Sequence, residues 1–186
     1  MKFDSQLFSL KRVVLAVIIF SIFILAGFFA LMYFLPIFPP SSFSNGSDFN
    51  FIFRYGVGAK NELNTATEIY TKDMVIGSPV RIKMRFSQGE LDSIRQKMQE
   101  IGFLNYPNVF KVSTPFGVIM GAHTPYDSYY FKVVYDGKTK ELFWDDEIDN
   151  TNMQADKLRE LIQYIRKVIE SKEEYRKLPE SRGGYM

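Results

Sequence analysis

The chain has 186 residues, no cysteine and a formal net charge of +2, with 23 Lys and Arg against 21 Asp and Glu. The absence of cysteine excludes disulfides, thiol catalysis, lipoprotein acylation and metals held by cysteine. All the excess positive charge lies in residues 1–12, so residues 39–186 carry equal numbers of bases and acids. A neutral domain lacks the positive charge that binds phosphate, so nucleic acid is not expected as a partner.

Residues 13–38 contain no charged side chain. As a helix, the stretch from Val13 to Leu35 spans roughly 35 Å, enough to cross a hydrocarbon core of about 30 Å. Pro36, Pro39 and Pro40 mark where such a helix ends. The run therefore predicts a transmembrane helix in the lipid bilayer, between a short tip at 1–12 and a linker at 39–48.

The distribution of basic residues predicts the orientation of this helix. Lys2, Lys11 and Arg12 precede the run, and no Lys or Arg follows it before Arg54, so the N-terminus is expected in the cytoplasm. The rest of the chain is then extracytoplasmic, and the protein is a single-pass protein of the cell membrane. A cleaved signal peptide is the alternative, but its apolar region is typically about 7 to 15 residues long and ends at a small-residue cleavage site. We expect an uncleaved signal-anchor, and secretion after cleavage remains open.

Residues 39–48 are rich in Pro, Ser, Asn and Gly and predict a linker, after which residues 49–175 form one domain. Alternating apolar residues predict a first strand over 49–57, followed by a loop over 59–65 and a second strand over 67–75. A third strand over 80–86 turns its apolar residues inward. This alternation places three bases on a solvated face rather than in a ligand patch: Arg81, Lys83 and Arg85.

A capping box predicts where the first helix of this domain begins. Ser87 is expected to accept a hydrogen bond from the backbone N–H of Glu90, whose side chain returns the bond. Gly102 is expected to end the helix. Between them runs an apolar stripe at helical spacing, formed by Leu91, Ile94, Met98 and Ile101.

Several short motifs occur between residues 50 and 110. They are YGVGAKNELNT at 55–65, YTKDMV at 70–75, the strand and capped helix that follow, and FLNYP at 103–107. Together they resemble a recurring family of uncharacterised prokaryotic membrane-anchored proteins with a single N-terminal hydrophobic segment. The last helix and the GGY at 183–185 extend the resemblance. The family carries no assigned activity or ligand, so the resemblance implies an extracytoplasmic location and no chemistry.

Residues 108–128 predict a long irregular segment, and such loops are usually functional or mobile. The segment holds the candidate binding residues Phe116, Val118, Ile119 and Met120, together with His123, the only histidine. Alternatively, residues 118–122 form an edge strand that buries these side chains, since the period of so short an apolar run does not decide. Catalysis or zinc binding by His123 is not expected, because the sequence has no second histidine and no nucleophile-elbow motif.

Asp136-Gly137 predicts the type I′ turn of a β-hairpin. The turn also sets the register, which pairs Tyr135 with Lys138, Val133 with Lys140, Phe131 with Leu142 and Tyr129 with Trp144. On the opposite face Lys132 lies across from Glu141, and this pair of opposite charges supports the register.

An acidic stretch at 145–149 follows the hairpin and can be interpreted in two ways. A calcium loop would use Asp145, Glu147, Asp149 and Asp156, with Thr151, because carboxylates at this spacing are calcium ligands. The pattern lacks the glycine and the final glutamate of such loops, and a strand precedes it. A solvated acidic turn before a helix is therefore favoured, since the helix dipole stabilises acids there.

The closing helix is predicted over 155–172 by a stripe of Leu158, Leu161, Ile162, Ile165, Val168 and Ile169. Residues 173–186 are expected to fray, with a flexible tail from 176 onward. The expected fold class is α+β, with one transmembrane helix and an extracytoplasmic antiparallel sheet of three strands and a hairpin. Two helices should pack on one face of that sheet.

The sequence contains no recognisable motif for a nucleophile, a general base or a cofactor. The favoured function is therefore a non-enzymatic binding or scaffolding domain, anchored in the membrane and without a cofactor. Its partner would be an extracytoplasmic protein or ligand that the sequence does not identify. The alternative is a metal-assisted enzyme that uses the acidic turn at 145–149.

Overall fold

The computed structural model of the protein describes Ser21 and residues 48–112, 121–148 and 152–185, with only the backbone of His123. Apart from Ser21 and Asp48, the predicted transmembrane run and linker therefore lie outside the described residues. Within the described ranges, no helix is long and apolar enough to cross a membrane. The described residues from Asp48 onward belong to one compact unit.

In the described part of the chain, seven strands form one sheet with the order β4-β3-β2-β1-β6-β7-β5. The strands are β1 Asn50–Tyr55, β2 Asn61–Asn64, β3 Ile69–Lys72, β4 Val80–Lys83, β5 Val109–Phe110, β6 Ala122–Tyr135 and β7 Lys138–Ile148. Every neighbouring pair is antiparallel except β5 and β7, which run parallel. The expectation of a purely antiparallel sheet is therefore wrong, because the chain crosses over between β4 and β5 and enters the far edge in the direction of β7.

Two helices pack against this sheet, which confirms the α+β class. They are α1, Gln88–Glu100, and α2, Met153–Ser171. A 3₁₀ turn at Phe103–Asn105 follows α1, and a short helix α3, Glu173–Arg176, follows α2. The predicted apolar stripe of α2 is confirmed, since all its members except the half-buried Val168 are buried.

The core lies between the helices and one face of the sheet. Strand pairing aligns a row of inward residues across six strands, formed by Ile82, Tyr70, Leu63, Phe53, Phe131 and Leu142. All are fully buried except Ile82, which is partly exposed. The rings of Phe53 and Phe131 stack with centroids 4.7 Å apart, and Phe103 meets Phe131 edge-on at 5.3 Å. The alternation of side chains along each strand therefore places one face of the sheet in the core.

The hairpin of β6 and β7 confirms the predicted register. Asp136 and Gly137 have φ angles of 47° and 69°, the left-handed values that a type I′ turn requires. All four predicted pairs and the Lys132–Glu141 pair are formed, with 3.7 Å between the Lys132 ammonium and the Glu141 carboxylate. The two turn residues therefore determine the pairing of the longest strands.

The prediction of a loop over 59–65 is wrong, because β2 occupies Asn61–Asn64. Of its four residues only Leu63 is apolar and buried, since the strand is short and its other face is partly exposed. A single inward residue cannot produce a visible alternation. The strand is held by its pairing with β1 and β3 rather than by an apolar pattern of its own.

Much of the predicted irregular segment 108–128 is also ordered as strands. Val109 and Phe110 form β5, and residues from Ala122 onward belong to β6. A register shift between Ala122 and Asp127, with a cis peptide bond at Pro125, interrupts the pairing of β6 with β7. The proposed edge strand at 118–122 is not tested, because residues 113–120 lie outside the described residues.

The capping box at the start of α1 is confirmed. Ser87 Oγ accepts from Glu90 N at 3.3 Å, and Ser87 N donates to Glu90 Oε2 at 2.8 Å. The same carboxylate binds Lys172 at the end of α2, at 2.6 Å. Burial alone would raise the pKa of Glu90, but the hydrogen bonds from Lys172 and Ser87 lower it below its usual value. Glu90 therefore joins the beginning of one helix to the end of the other.

Glu90→Gln is expected to lose roughly 1 kcal/mol of stability at neutral pH, because the variant keeps the cap but loses the ion pair. The pKa of Glu90 is lower in the folded than in the unfolded chain, so its contribution is complete above the unfolded value of about 4.3 and is lost as pH falls through the folded value. Thermal unfolding followed between pH 7 and 3 should show the difference between the two proteins shrinking as the pH falls below about 4.3. Glu160→Gln, at an exposed position of α2, is the control and should show no such pH-dependent change in its stability difference from wild type. A stability difference between Glu90→Gln and wild type that stayed constant with pH would contradict the prediction.

The last described residues contact another segment of the chain. After α3, Leu178 packs against the core and residues 179–185 lie along the loop that follows β3. Arg182 N donates to Met74 O at 3.3 Å and Lys72 Nζ donates to Pro179 O at 2.8 Å. The expected flexible tail stays a prediction, and its described residues form hydrogen bonds with another segment of the chain.

Candidate binding surface

The face of the sheet opposite the helices forms a second continuous row of side chains, here called the open face. Strand pairing places seven residues side by side across all seven strands, in the order Arg81, Thr71, Glu62, Arg54, Tyr130, Phe143 and Val109. Each is one position away from a core residue and so points to the other side. All seven are exposed or half-exposed, so within the described residues no element covers them.

The open face exposes large apolar side chains. Val109 is 55% exposed, Ile69 42%, Phe143 38% and Val134 36%. Tyr130 lies directly opposite Phe143 in the strand pairing, and Phe143 lies next to Val109 at the β5 edge. Exposed apolar side chains that are adjacent and surrounded by polar groups are typical of contact surfaces.

The charged groups of the open face are mostly paired with one another. Arg54 Nε lies 2.6 Å from Glu62 Oε2, and the Arg54 guanidinium lies 5.5 Å from the centre of the Tyr130 ring. Burial and the nearby Glu141 carboxylate raise the pKa of Tyr130, so its hydroxyl stays protonated at neutral pH. The surface is thus amphipathic and close to electrically balanced.

Two shallow grooves lie on the side of β3 and β4, and a smaller one lies at the opposite edge. A groove of about 410 Å³ is lined by Arg54, Lys60, Glu62, Thr71, Asp73 and Arg81, among others. Another, of about 400 Å³, lies between Thr67, Ile69 and Lys83. The smaller groove, of about 190 Å³, lies between β5 and the end of β7. These grooves are open, and their shape suits an extended or flat partner more than an enclosed small molecule.

The acidic stretch is not the expected solvated turn, because residues 145–148 belong to β7. Asp146 faces α2, where Arg159 donates to it through Nε at 2.8 Å and through Nη2 at 2.6 Å. These two hydrogen bonds raise the pKa of Arg159, and its guanidinium also lies 5.2 Å from the Trp144 ring centre. Asp156 binds the same arginine at 2.8 Å. Asp146 thus joins the end of β7 to α2, and Asp156 binds the same arginine from within α2.

The calcium interpretation stays a prediction, because not all of its candidate ligands are among the described residues. Asp145 accepts a hydrogen bond from Ser128 Oγ at 2.5 Å, Glu147 is exposed, and Asp149 lies outside the described residues. Within the described ranges, no group of three or more His, Asp or Glu residues is arranged to hold a metal ion. The cap of α2 comes instead from Asn152, whose side chain accepts from Gln154 N and Ala155 N.

The candidate binding residues from the sequence fall mainly outside what the structure describes. Phe116, Val118, Ile119 and Met120 lie in the range 113–120, and the side chain of His123 is not described. Their role in binding stays a prediction. The solvated face of β4 is confirmed, because Arg81, Lys83 and Arg85 are all exposed, and Glu68 lies 3.3 Å from Lys83 and 3.1 Å from Arg85.

The sequence reasoning missed the open face itself. The predicted register of the hairpin was sufficient to place Tyr130 opposite Phe143, two residues before the Lys132–Glu141 pair and on the same face. The rest of the row depends on the pairing of β1 with β6 and on the pairing of β2 with β1. No short-range sequence pattern predicts either pairing.

Comparisons of the chain with protein-family models, with curated proteins and with solved structures find no match. Its function must therefore be inferred from its own residues and contacts.

Proposed function

We propose that the protein is a single-pass membrane-anchored protein that presents a non-enzymatic binding or scaffolding domain outside the cytoplasm. The observation that most supports a binding role is the open face, on which seven neighbouring strands leave their side chains exposed. The uncharged run at 13–38 and the basic residues before it support the anchor and its orientation. The resemblance to membrane-anchored prokaryotic proteins agrees with this location.

The chemistry of the open face favours a protein partner. The surface combines exposed Val109, Phe143 and Ile69 with charged side chains that already form ion pairs. Interfaces that form and dissociate have this mixture of apolar area and satisfied polar groups. His123 belongs to β6, and Phe116, Val118, Ile119 and Met120 precede that strand in the sequence. These residues remain proposed contacts for the same partner.

A binding role is favoured over a metal-assisted enzyme by the contacts of the acidic stretch. Asp146 is bound to Arg159 through both of its oxygens, and Asp145 accepts from Ser128. Carboxylates that are engaged in this way stabilise the fold and are poorly placed to share a cation. We therefore assign the acidic stretch to structure.

Because the chain has no cysteine, single-cysteine variants can test the topology and the binding surface together. Intact cells would be treated with a membrane-impermeant maleimide. Lys157→Cys, on the exposed side of α2, should be labelled, and Ser5→Cys should be labelled only after the cells are opened. Ile69→Cys and Val109→Cys, on the open face, should react several-fold more slowly than Lys157→Cys in cells, because the partner covers them.

The same variants in purified protein provide the control. There the open-face cysteines should react about as fast as Lys157→Cys, since both original side chains are exposed. Labelling of Ser5→Cys in intact cells would contradict the proposed orientation. Equal relative rates in cells and in purified protein would show that the open face has no partner.

A further inference from the structure

Residues 179–185, here called the tail strip, lie alongside residues 72–76 like an added strand. Val75 and Arg182 form a parallel β-bridge, and Arg182 N donates to Met74 O at 3.3 Å. Ser181 Oγ donates to Asp73 O at 2.8 Å, and Lys72 Nζ donates to Pro179 O at 2.8 Å. The segment around the loop after β3 thus binds the tail strip through one backbone–backbone hydrogen bond and two bonds from side chains to backbone carbonyls. Backbone contacts of this kind are used by sheet edges that bind peptides.

One side chain of the tail strip has a small site of its own. The Tyr185 hydroxyl donates to Asp73 Oδ2, and the Lys60 ammonium lies 4.7 Å from the centre of the Tyr185 ring. Burial of the hydroxyl and the Asp73 carboxylate raise the pKa of Tyr185 to about 12, so the phenol remains a donor at neutral pH. An aromatic ring that carries a hydroxyl is therefore recognised on its face and at its tip.

A second position of the tail strip favours glycine. Gly183 has a φ of +84°, which residues other than glycine rarely adopt, and a Cβ there would also displace the exposed end of the Ile76 side chain, whose Cδ1 would lie 2.8 Å away. Together with Ser181 and Tyr185, this defines the pattern Ser-x-Gly-x-Tyr. The contacts thus select a sequence and not only an extended backbone.

The tail strip is held in a way that allows exchange. Residues 179–184 are all exposed, and only Tyr185 is half-buried. Hydrogen bonds between exposed groups add little net stability, because water competes for them, whereas ordering the segment costs backbone entropy. Lys60 and Asp73 also line the groove of about 410 Å³ that continues to Arg54 and Arg81. The receiving surface is therefore larger than the segment that occupies it.

We propose that Lys60 and residues 72–76 form a peptide-binding site, here called the strip site, for extended segments of the pattern Ser-x-Gly-x-Tyr. The chain's own tail strip occupies the site in cis, and the tail strip of a second copy is a ligand of the same chemistry. This inference does not depend on the membrane topology or on a partner of the open face, because Lys60 and residues 72–76 contact the tail strip directly.

The experiment uses the full-length chain in detergent and a labelled peptide of residues 178–186, LPESRGGYM, with binding followed by fluorescence anisotropy. In wild type the attached tail competes at an effective concentration on the order of millimolar. In a chain with Gly183→Val and Tyr185→Ala this competition is removed, so the peptide should bind at least about tenfold more tightly than to wild type. Adding Lys60→Ala or Asp73→Asn to that chain should weaken binding again.

A peptide that carries Gly183→Val is the matched control and should bind the released chain at least about tenfold more weakly. Circular dichroism melting of each variant establishes that the domain is folded. If Asp73→Asn is unstable, Lys60→Ala, at an exposed position, still tests the site. The proposal is overturned if the released chain does not bind the peptide, if wild type and released chain bind equally, or if the Gly183→Val peptide binds as well as the original.

Discussion

Replacing Ile165 with Asp is expected to unfold the domain formed by the described residues from Asp48 onward. Ile165 is fully buried in α2 and belongs to the core between the helices and the sheet. The change removes an apolar side chain, at a cost of about 2–5 kcal/mol, and places a carboxylate where water cannot reach it. Since a domain is stable by only about 5–15 kcal/mol, the sum is comparable to the whole stability. Far-UV circular dichroism should show loss of the native spectrum and of a cooperative melting transition.

Two substitutions control for the effect of position on α2. Ile165→Val should lower stability by only about 0.5–1.5 kcal/mol, because it removes one methylene group from the same site. Lys167→Asp, at an exposed position two residues later, should leave the fold intact. If Ile165→Asp melted like the wild type, this face of α2 would not be part of the core.

Asp146→Ala is expected to lower the stability by about 2–3 kcal/mol. The variant removes both hydrogen bonds that Asp146 accepts from Arg159, and the side chains of these residues are only 15% and 25% exposed. Arg159 stays beside Trp144 with Asp156 as its remaining carboxylate, so part of its charge is left without a partner. Chemical denaturation should show a lower midpoint with an unchanged slope.

Glu147→Ala provides the comparison at the next position of β7. Its side chain is exposed and belongs to the same acidic stretch, so its stability should stay within about 0.5 kcal/mol of wild type. Equal losses of stability for the two variants would mean that general charge, and not the contact with Arg159, determines the effect.

Calcium titration by calorimetry addresses the other interpretation of this stretch, and heat of binding that disappears in Glu147→Ala would favour a metal site.

Features determined by neighbouring residues could be predicted. The type I′ turn at Asp136-Gly137 sets the pairing of β6 with β7, and Ser87 and Glu90 fix the start of α1. The stripe of α2 was readable because a long helix repeats its apolar positions several times. In each case the local preference and the final structure agree, so a short stretch of sequence is enough to predict the element.

Features formed by distant segments could not be predicted in the same way. The acidic stretch was predicted to be a turn because charged side chains favour contact with water. In the structure, pairing with β6 extends β7 through this stretch, and Arg159 forms an ion pair with Asp146. Likewise, β2 has only one buried apolar residue and β5 has two residues in all, which is too few for a periodic pattern. Strands of this length exist only because their neighbours supply hydrogen bonds.

By itself, the sequence determined the elements with strong local signals, namely the hairpin register, the cap of α1 and the buried stripe of α2. The predicted anchor at 13–38 also comes from the sequence alone. The tertiary structure decided which side chains meet across the chain: the row from Arg81 to Val109 on the open face, and Lys60 and Asp73 around Tyr185. The physical reason is that local preferences depend on nearby residues, whereas a binding surface depends on strand order and on contacts between segments more than a hundred residues apart.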